Sequence, residues 1–84
     1  MEGVIEISTY EKLDARVRSL PSDLTMSEAD RFLRHNGFAK VRQRGSHCVY
    51  KRDAAPIINI QGSIIPEYQV AQMIIAVDRI QKEV

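Results

Sequence analysis

The spacing of three short strand-like segments is the feature that most constrains the fold of this chain. Residues 38–44, 47–52 and 56–61 are separated by only two or three residues, with Gly45-Ser46 at the first junction. Connections this short permit antiparallel hairpins and exclude parallel crossovers, which need a dozen or more residues. The segments therefore predict a three-stranded antiparallel sheet.

Helical patterns precede and follow the predicted sheet. Two Ser/Thr-x-x-Glu capping boxes, beginning at Ser8 and Thr25, mark helix starts. Asn36-Gly37 is a helix stop, because glycine readily adopts the left-handed conformation that closes many helices. The remaining predicted elements are an edge strand at 4–7, a helix ending near Ser19, a helix over 26–35 and a last helix over 67–82.

Helices packed on one face of an antiparallel sheet form an α+β, two-layer domain. The 84 residues suffice for a single domain, with an N-terminal extension over 1–21 and a core over 22–84. We expect Leu20 and Val84 to extend the apolar stripes of their helices, and Asp30 to point outward. The second face of the sheet would stay open and display the basic strand residues.

Charge is strongly segregated along the chain. Residues 31–52 contain seven Lys or Arg and no Asp or Glu, whereas the other 62 residues hold five bases and eleven acids. A concentrated cationic stretch is typical of a polyanion-binding surface, most often for nucleic acid phosphate. A solvated face whose bases pair with acids elsewhere in the fold explains the same pattern equally well.

Other composition features narrow the function classes. No apolar run is long enough to cross a bilayer, and no secretory signal pattern is present. The single cysteine, Cys48, excludes an internal disulfide, and no residues near it have metal-ligand spacing. We therefore expect a cytoplasmic protein with neither a metal nor a small-molecule cofactor.

His47 is the candidate catalytic residue. It follows the Gly45-Ser46 turn among basic residues, and an imidazole can deprotonate a ribose 2′-hydroxyl for attack on the adjacent phosphate. Guanidinium groups nearby would hold that phosphate and stabilise its developing charge. Alternatively, His47 is a hairpin histidine that only hydrogen-bonds a carbonyl. The phosphate-contact candidates are Arg42, Arg44 and Lys51.

Two other reactive side chains have simpler interpretations. His35 lies in the last turn of the second helix, where a partly cationic group favours the negative end of the helix dipole; a supporting acid role is the alternative. Cys48 and Tyr50 should share the buried face of their strand, because adjacent strand residues point to opposite faces.

The run LPSDLTMSEADRFLRHNGFAKVRQRGSHCVY, from Leu20 to Tyr50, resembles the HicA toxin family of bacterial toxin–antitoxin pairs. The resemblance rests on Asn36-Gly37-Phe38 after a helix, on the strand over 41–44, and on Gly45-Ser46-His47. PEYQVAQMIIAV, over 66–77, is similar to the final helix of a HicA subgroup with an extra N-terminal helix. About 65 residues take part in the resemblance.

The resemblance implies a double-stranded-RNA-binding-domain-like fold with an α-β-β-β-α core. It also implies a metal-independent ribonuclease that cleaves mRNA, with His47 as its catalytic histidine and Gly45 and Ser46 in the RNA-binding hairpin. A HicB-type antitoxin would cover the active face. Many members carry a histidine and lysines after the third strand, whereas this chain has Gln61-Gly62-Ser63-Ile64-Ile65-Pro66, which makes the cationic surface smaller. If exposed, Ile64 and Ile65 would offer a partner an apolar contact.

Two alternatives to a ribonuclease toxin stay open at this point. One is a non-catalytic RNA-binding module that uses the same surface, and the other is an inactive HicA relative kept for partner binding. Of these three, only the ribonuclease would produce RNA fragments with 2′,3′-cyclic phosphate ends in the presence of chelator.

Overall fold

A computed structural model describes residues 9–82 of the chain. The predicted strand at 4–7, the cap at Ser8 and the apolar contact of Val84 lie outside these residues. In chain order, the helices and strands are α1 (Thr9–Arg18), α2 (Met26–His35), β1 (Ala39–Arg44), β2 (His47–Lys51), β3 (Ile58–Gln61) and α3 (Glu67–Lys82).

Local signals set both ends of α2, as predicted. The Glu28 amide donates to the Thr25 hydroxyl at 3.1 Å, and the Thr25 amide donates to the Glu28 carboxylate at 3.0 Å, which completes the capping box. At the other end, Gly37 has φ +88°, and the Phe38 amide donates to the Leu33 carbonyl at 3.0 Å. This Schellman-type closure turns the chain from α2 into β1.

The sheet is antiparallel with strand order β1-β2-β3, which confirms the predicted topology. Cys48 and Tyr50 on β2 are buried together with Ile58 and Ile60 on β3. The helices cover this face, and Phe32, Leu33, Met73 and Val77 contribute to the same core. The alternate residues of β2 and β3 face away from the helices, on the side we call the open face. The α+β architecture is therefore confirmed.

Two sequence expectations about side-chain placement are wrong, and the exposure on which the apolar contact of Ile64 and Ile65 depended is not met at Ile65. Leu20 lies beyond α1 with φ +56° and is 38% exposed, because the helix ends at Arg18 and the chain turns away from the core. Asp30 does not point outward; it accepts a 2.5 Å hydrogen bond from the Tyr50 hydroxyl. Ile65 is buried rather than available to a partner, because its amide donates to the Leu24 carbonyl at 2.7 Å and draws it into the core.

Candidate nucleic-acid interface

Two rows of side chains cross the three strands on the open face. In the first row, Arg44 on β1 lies opposite His47, and His47 lies opposite Gln61 on β3. In the second row, Arg42 lies opposite Val49, and Val49 lies opposite Asn59. Cross-strand partners share a face of the sheet, so each row joins side chains that come from three separate segments.

The two rows enclose a cleft of about 330 Å³, lined by Arg42, Arg44, His47, Val49 and Asn59. Val49 is the half-buried apolar floor, while the two arginines and His47 are exposed. The strands themselves contain no Asp or Glu. The cleft therefore combines two permanent cations, an imidazole and a carboxamide around an apolar surface.

The turn between β1 and β2 positions His47 at the start of its strand. Gly45 has φ +55°, a conformation that favours glycine, and the Gly45 carbonyl accepts from the Gln43 side chain at 3.1 Å. The Ser46 carbonyl accepts from the Gly62 amide at 3.2 Å, which ties the turn to the residue after β3. Gly45 and Ser46 are both exposed beside His47.

His47 itself is exposed and makes no side-chain hydrogen bond to another residue within 9–80. For the alternative interpretation, in which His47 only hydrogen-bonds a carbonyl, no such carbonyl partner is found in this part of the chain. The His47 side chain is exposed and lines the cleft. An imidazole in this setting can accept or release a proton at a bound molecule.

Lys51 shares the open face with His47 but is not part of the cleft. It lies four residues further along β2, roughly 13 Å away at the usual strand rise, and its cross-strand partner is Ala39. The structure therefore brings Arg42, Arg44 and His47 together and leaves Lys51 at the far end of the sheet.

The cationic stretch divides between the open face and the helical layer. Arg34 pairs with Asp30 at 3.0 Å, and Arg52 donates to the Asn36 carbonyl at the end of α2. By contrast, Arg42, Arg44 and Lys51 have no ion pair with any acid among the residues that the structure describes. Some bases of the cationic stretch therefore pair within the fold, and three are displayed on the open face; binding of a polyanion there stays a prediction.

His35 belongs to a different part of the molecule. It ends α2, where the dipole argument expects it, and its ring stacks on Tyr10 with centroids 3.5 Å apart. The Tyr10 hydroxyl accepts from the Asn36 side chain at 2.9 Å. Since α2 leads into the beginning of β1 and His47 pairs with the end of β1, the two histidines are separated by roughly the length of that strand, about 17 Å. His35 cannot act as an acid in the cleft.

A hydrogen bond between the sheet and α2 supports β2 from the buried side. Burial, followed by the contact with Asp30, raises the pKa of Tyr50. For Asp30, burial alone would raise the pKa, but hydrogen bonds from Tyr50 and Arg34 outweigh it, so that the pKa is lowered. Asp30 is therefore an ionised acceptor that anchors β2 behind the cleft.

Sequence reasoning missed Asn59 and Val49 as parts of the candidate interface. The alternation of Ile58 and Ile60 with Asn59 and Gln61 did predict which residues face outward. What it lacked was the register that sets Asn59 next to Val49 and Gln61 next to His47.

Among the described residues, no group of three or more His, Cys, Asp or Glu side chains is arranged to hold a metal ion. No helix in this part of the chain has the length and hydropathy needed to span a membrane.

The fold and the interface define a small α+β protein with a basic cleft on an open sheet face. Comparison with protein-family models matches residues 26–78 to the HicA toxin of bacterial toxin–antitoxin systems. The match spans more than half of the chain, from α2 into α3, and the chain belongs to the HicA toxin family. This confirms the resemblance seen in the sequence. The family implies an antitoxin partner.

Neither a comparison with curated proteins nor one with solved structures found a match. The double-stranded-RNA-binding-domain-like description of the fold accordingly stays a prediction.

Proposed function

We propose that this chain is an endoribonuclease toxin that cleaves mRNA without requiring a metal, and that His47 transfers the proton. The observation that carries the proposal is the cross-strand row in which Arg44 stands directly opposite His47, with Arg42 in the next row. A proton-transfer group and two cations thus line one solvent-open cleft. Membership of a toxin family supports the same conclusion.

The proposed reaction is an internal transesterification of RNA. Neutral His47 removes the proton of a ribose 2′-hydroxyl, and the 2′-oxygen attacks the adjacent phosphorus. The bond from phosphorus to the 5′-oxygen of the next nucleotide breaks, and that oxygen takes a proton from water or from the imidazolium. The products are a 2′,3′-cyclic phosphate end and a 5′-hydroxyl end.

The two arginines stabilise the negative charge of the phosphate and do not transfer protons. Guanidinium groups donate charge-assisted hydrogen bonds to phosphate oxygens, and those bonds strengthen as negative charge gathers on the phosphate. Arg44, beside His47, is assigned to the scissile phosphate, and Arg42 to the phosphate of the neighbouring nucleotide. Lys51, further along the same face, contacts the RNA backbone at a distance from the reacting bond.

Cleavage in the presence of chelator tests this function. The purified chain, incubated with RNA and EDTA, should yield fragments with 2′,3′-cyclic phosphate ends. Replacing His47 by Ala should lower the cleavage rate at least about 100-fold, the usual contribution of a positioned acid–base group. Expression of the parent, but not of this variant, should arrest growth.

His35→Ala is the matched control, because it removes an exposed histidine that lies outside the cleft. Equal cleavage by the parent and by the His47 variant would refute the catalytic role. RNA binding without any fragments would instead favour the alternatives, a non-catalytic RNA-binding module or an inactive relative kept for partner binding. Unfolding of His47→Ala, seen by circular dichroism, would indicate a structural role.

The antitoxin is proposed to be acidic, of the HicB type, and to cover the open face. Three cations without acidic partners among the described residues make that face attractive to acidic side chains, which should speed association at low ionic strength. Ile64 is 47% exposed and can add an apolar contact that persists in salt, whereas buried Ile65 cannot.

Co-expression with the product of the neighbouring gene, followed by amide exchange, tests this mode of inhibition. Protection should fall on β1 and β2, and RNA should stay intact. Protection confined to the helices while RNA is still cleaved would contradict it.

A further inference from the structure

Asn59 is the one cleft residue for which neither the fold nor the proposed chemistry has a use. It is exposed between buried Ile58 and Ile60, and its carboxamide makes no hydrogen bond to another residue within 9–80. Asparagine is depleted in strands, since its short amide competes for nearby backbone groups. The Asn59 amide is therefore open to solvent and available to hydrogen-bond a molecule bound in the cleft.

The surroundings of Asn59 suit a nucleobase. Val49 lies between Arg42 and Asn59, so that the second row is an apolar floor with a guanidinium on one side and a carboxamide on the other. A base has apolar faces and a polar edge, and proteins recognise unpaired bases by packing on the faces and hydrogen-bonding the edge. The cleft of about 330 Å³ is at the lower end of ligand-site volumes, which suits one nucleotide.

Apart from His47, which the proposed reaction occupies, Asn59 is the only side chain lining the cleft that can both donate and accept hydrogen bonds. Arg42 and Arg44 only donate, and Val49 does neither. The row that contains Asn59 lies about 7 Å along the strands from the His47 row, which is within the span of one nucleotide. A base held there would belong to a nucleotide next to the scissile phosphate.

Resting on the ribonuclease function proposed above, we propose that Asn59 is a specificity-determining residue. Its carboxamide hydrogen-bonds the edge of the base that packs on Val49, and it thereby makes cleavage depend on the identity of that nucleotide. The phosphate contacts of Arg42 and Arg44 carry no sequence information. Selection among RNA sequences therefore falls to Asn59.

Mapping of cleavage sites in a mixed-sequence RNA pool tests this assignment. The parent should prefer one base at a fixed position from the cut by roughly 5- to 100-fold, the discrimination expected of a good amide–base pair. Asn59→Ala should flatten that preference. Asn59→Asp should redirect it toward bases with an exocyclic amino group, because a carboxylate can only accept.

Gln72→Ala is the control, since it removes an exposed carboxamide on α3 outside the cleft and should leave the site pattern unchanged. The melting temperatures of all variants are compared with the parent, because Asn59 is exposed and its replacement should not unfold the chain. A site pattern that is identical in the parent, Asn59→Ala and Asn59→Asp would overturn the assignment while leaving the ribonuclease function in place.

A binding measurement separates the two proposals from each other. His47→Ala, with and without Asn59→Ala, is titrated with four short homopolymer RNAs. Loss of preference among them in the double variant supports base recognition by Asn59, even if the parent proves unable to cut. Equal affinity of the His47 variant for all four homopolymers would overturn base recognition, whether or not the parent cleaves RNA.

Discussion

Neutralising Arg42 and Arg44 should change how RNA affinity depends on salt. Binding a single strand releases about 0.7 counterions for each phosphate neutralised, and the affinity falls with salt in proportion. The open face carries three cations that have no acidic partner among the described residues, namely Arg42, Arg44 and Lys51. If each contacts one phosphate, the slope of log affinity against log salt should be about −2.

With both arginines replaced by Gln, only Lys51 contributes and the slope should flatten to about −0.7. Between 50 and 200 mM salt, the parent would then lose about 20-fold in affinity, and the variant only about 3-fold. The assay is fluorescence anisotropy with a short labelled RNA. All proteins carry His47→Ala so that the RNA stays intact.

The control is the pair Arg31→Gln and Arg79→Gln, which changes the net charge equally at exposed positions on α2 and α3. Its slope should stay near that of the parent, because the charges removed lie off the open face. A slope that flattens equally in both double variants would show that the net charge, not the cleft, controls binding. An unchanged slope in the Arg42 and Arg44 variant would refute phosphate contact by these side chains.

Three further predictions concern stability and are read from denaturant titrations. The hydrogen bond from Arg16, followed by that from the Thr25 amide, lowers the pKa of Glu28 from 4.5 to about 2. Ionised Glu28 therefore stabilises the folded state fully above pH 4.5, and this stabilisation is lost as the pH falls through 2. After allowance for partial exposure, this stabilisation is worth about 1–2 kcal/mol. The difference in unfolding free energy between the parent and Glu28→Gln should therefore nearly disappear at pH 2, and a difference that does not change with pH would contradict this. Tyr50→Phe should cost about 1–2 kcal/mol by leaving half-buried Asp30 without one donor, whereas Tyr68→Phe, at a residue 65% exposed, should cost almost nothing; equal costs would refute the anchoring role. Gly37→Ala should cost more than the roughly 1–2 kcal/mol of left-handed strain alone, because Arg52 Nη1 lies 2.6 Å from the new Cβ and must move away, which breaks its hydrogen bond to the Asn36 carbonyl. Gly45→Ala meets open space and should cost the strain only.

The helices were predictable because their boundaries are encoded locally. Thr25 and Glu28 specify the start of α2, and Asn36-Gly37 specifies its end, within a few residues of sequence in each case. The strand starts were less accurate. The sheet begins at Ala39 rather than Phe38, because the Phe38 amide is already committed to closing α2.

Contacts between distant segments could not be predicted. Asp30 has the sequence position of an outward helix residue, and only the packing of β2 against α2 brings the Tyr50 hydroxyl to it. Ile64 and Ile65 look equivalent in sequence. A bridge between Thr25 and Ile64 fixes the chain there, so that Ile64 faces solvent and Ile65 faces the core.

The candidate interface depends on one more long-range feature, a bulge in β1. Near the turn, Arg44 pairs with His47 and Arg42 with Val49, but the register shifts between Lys40 and Arg42. Continued without that shift, the ladder would set Lys40 directly opposite Lys51, and like charges opposite each other are destabilising. The bulge instead pairs Lys40 with buried Tyr50, where its charge helps to lower the pKa of Asp30. The inserted residue thus places Lys40 on the helix-covered side of the sheet, near Asp30. Arg42, Arg44 and Lys51 are left as the cations of the open face.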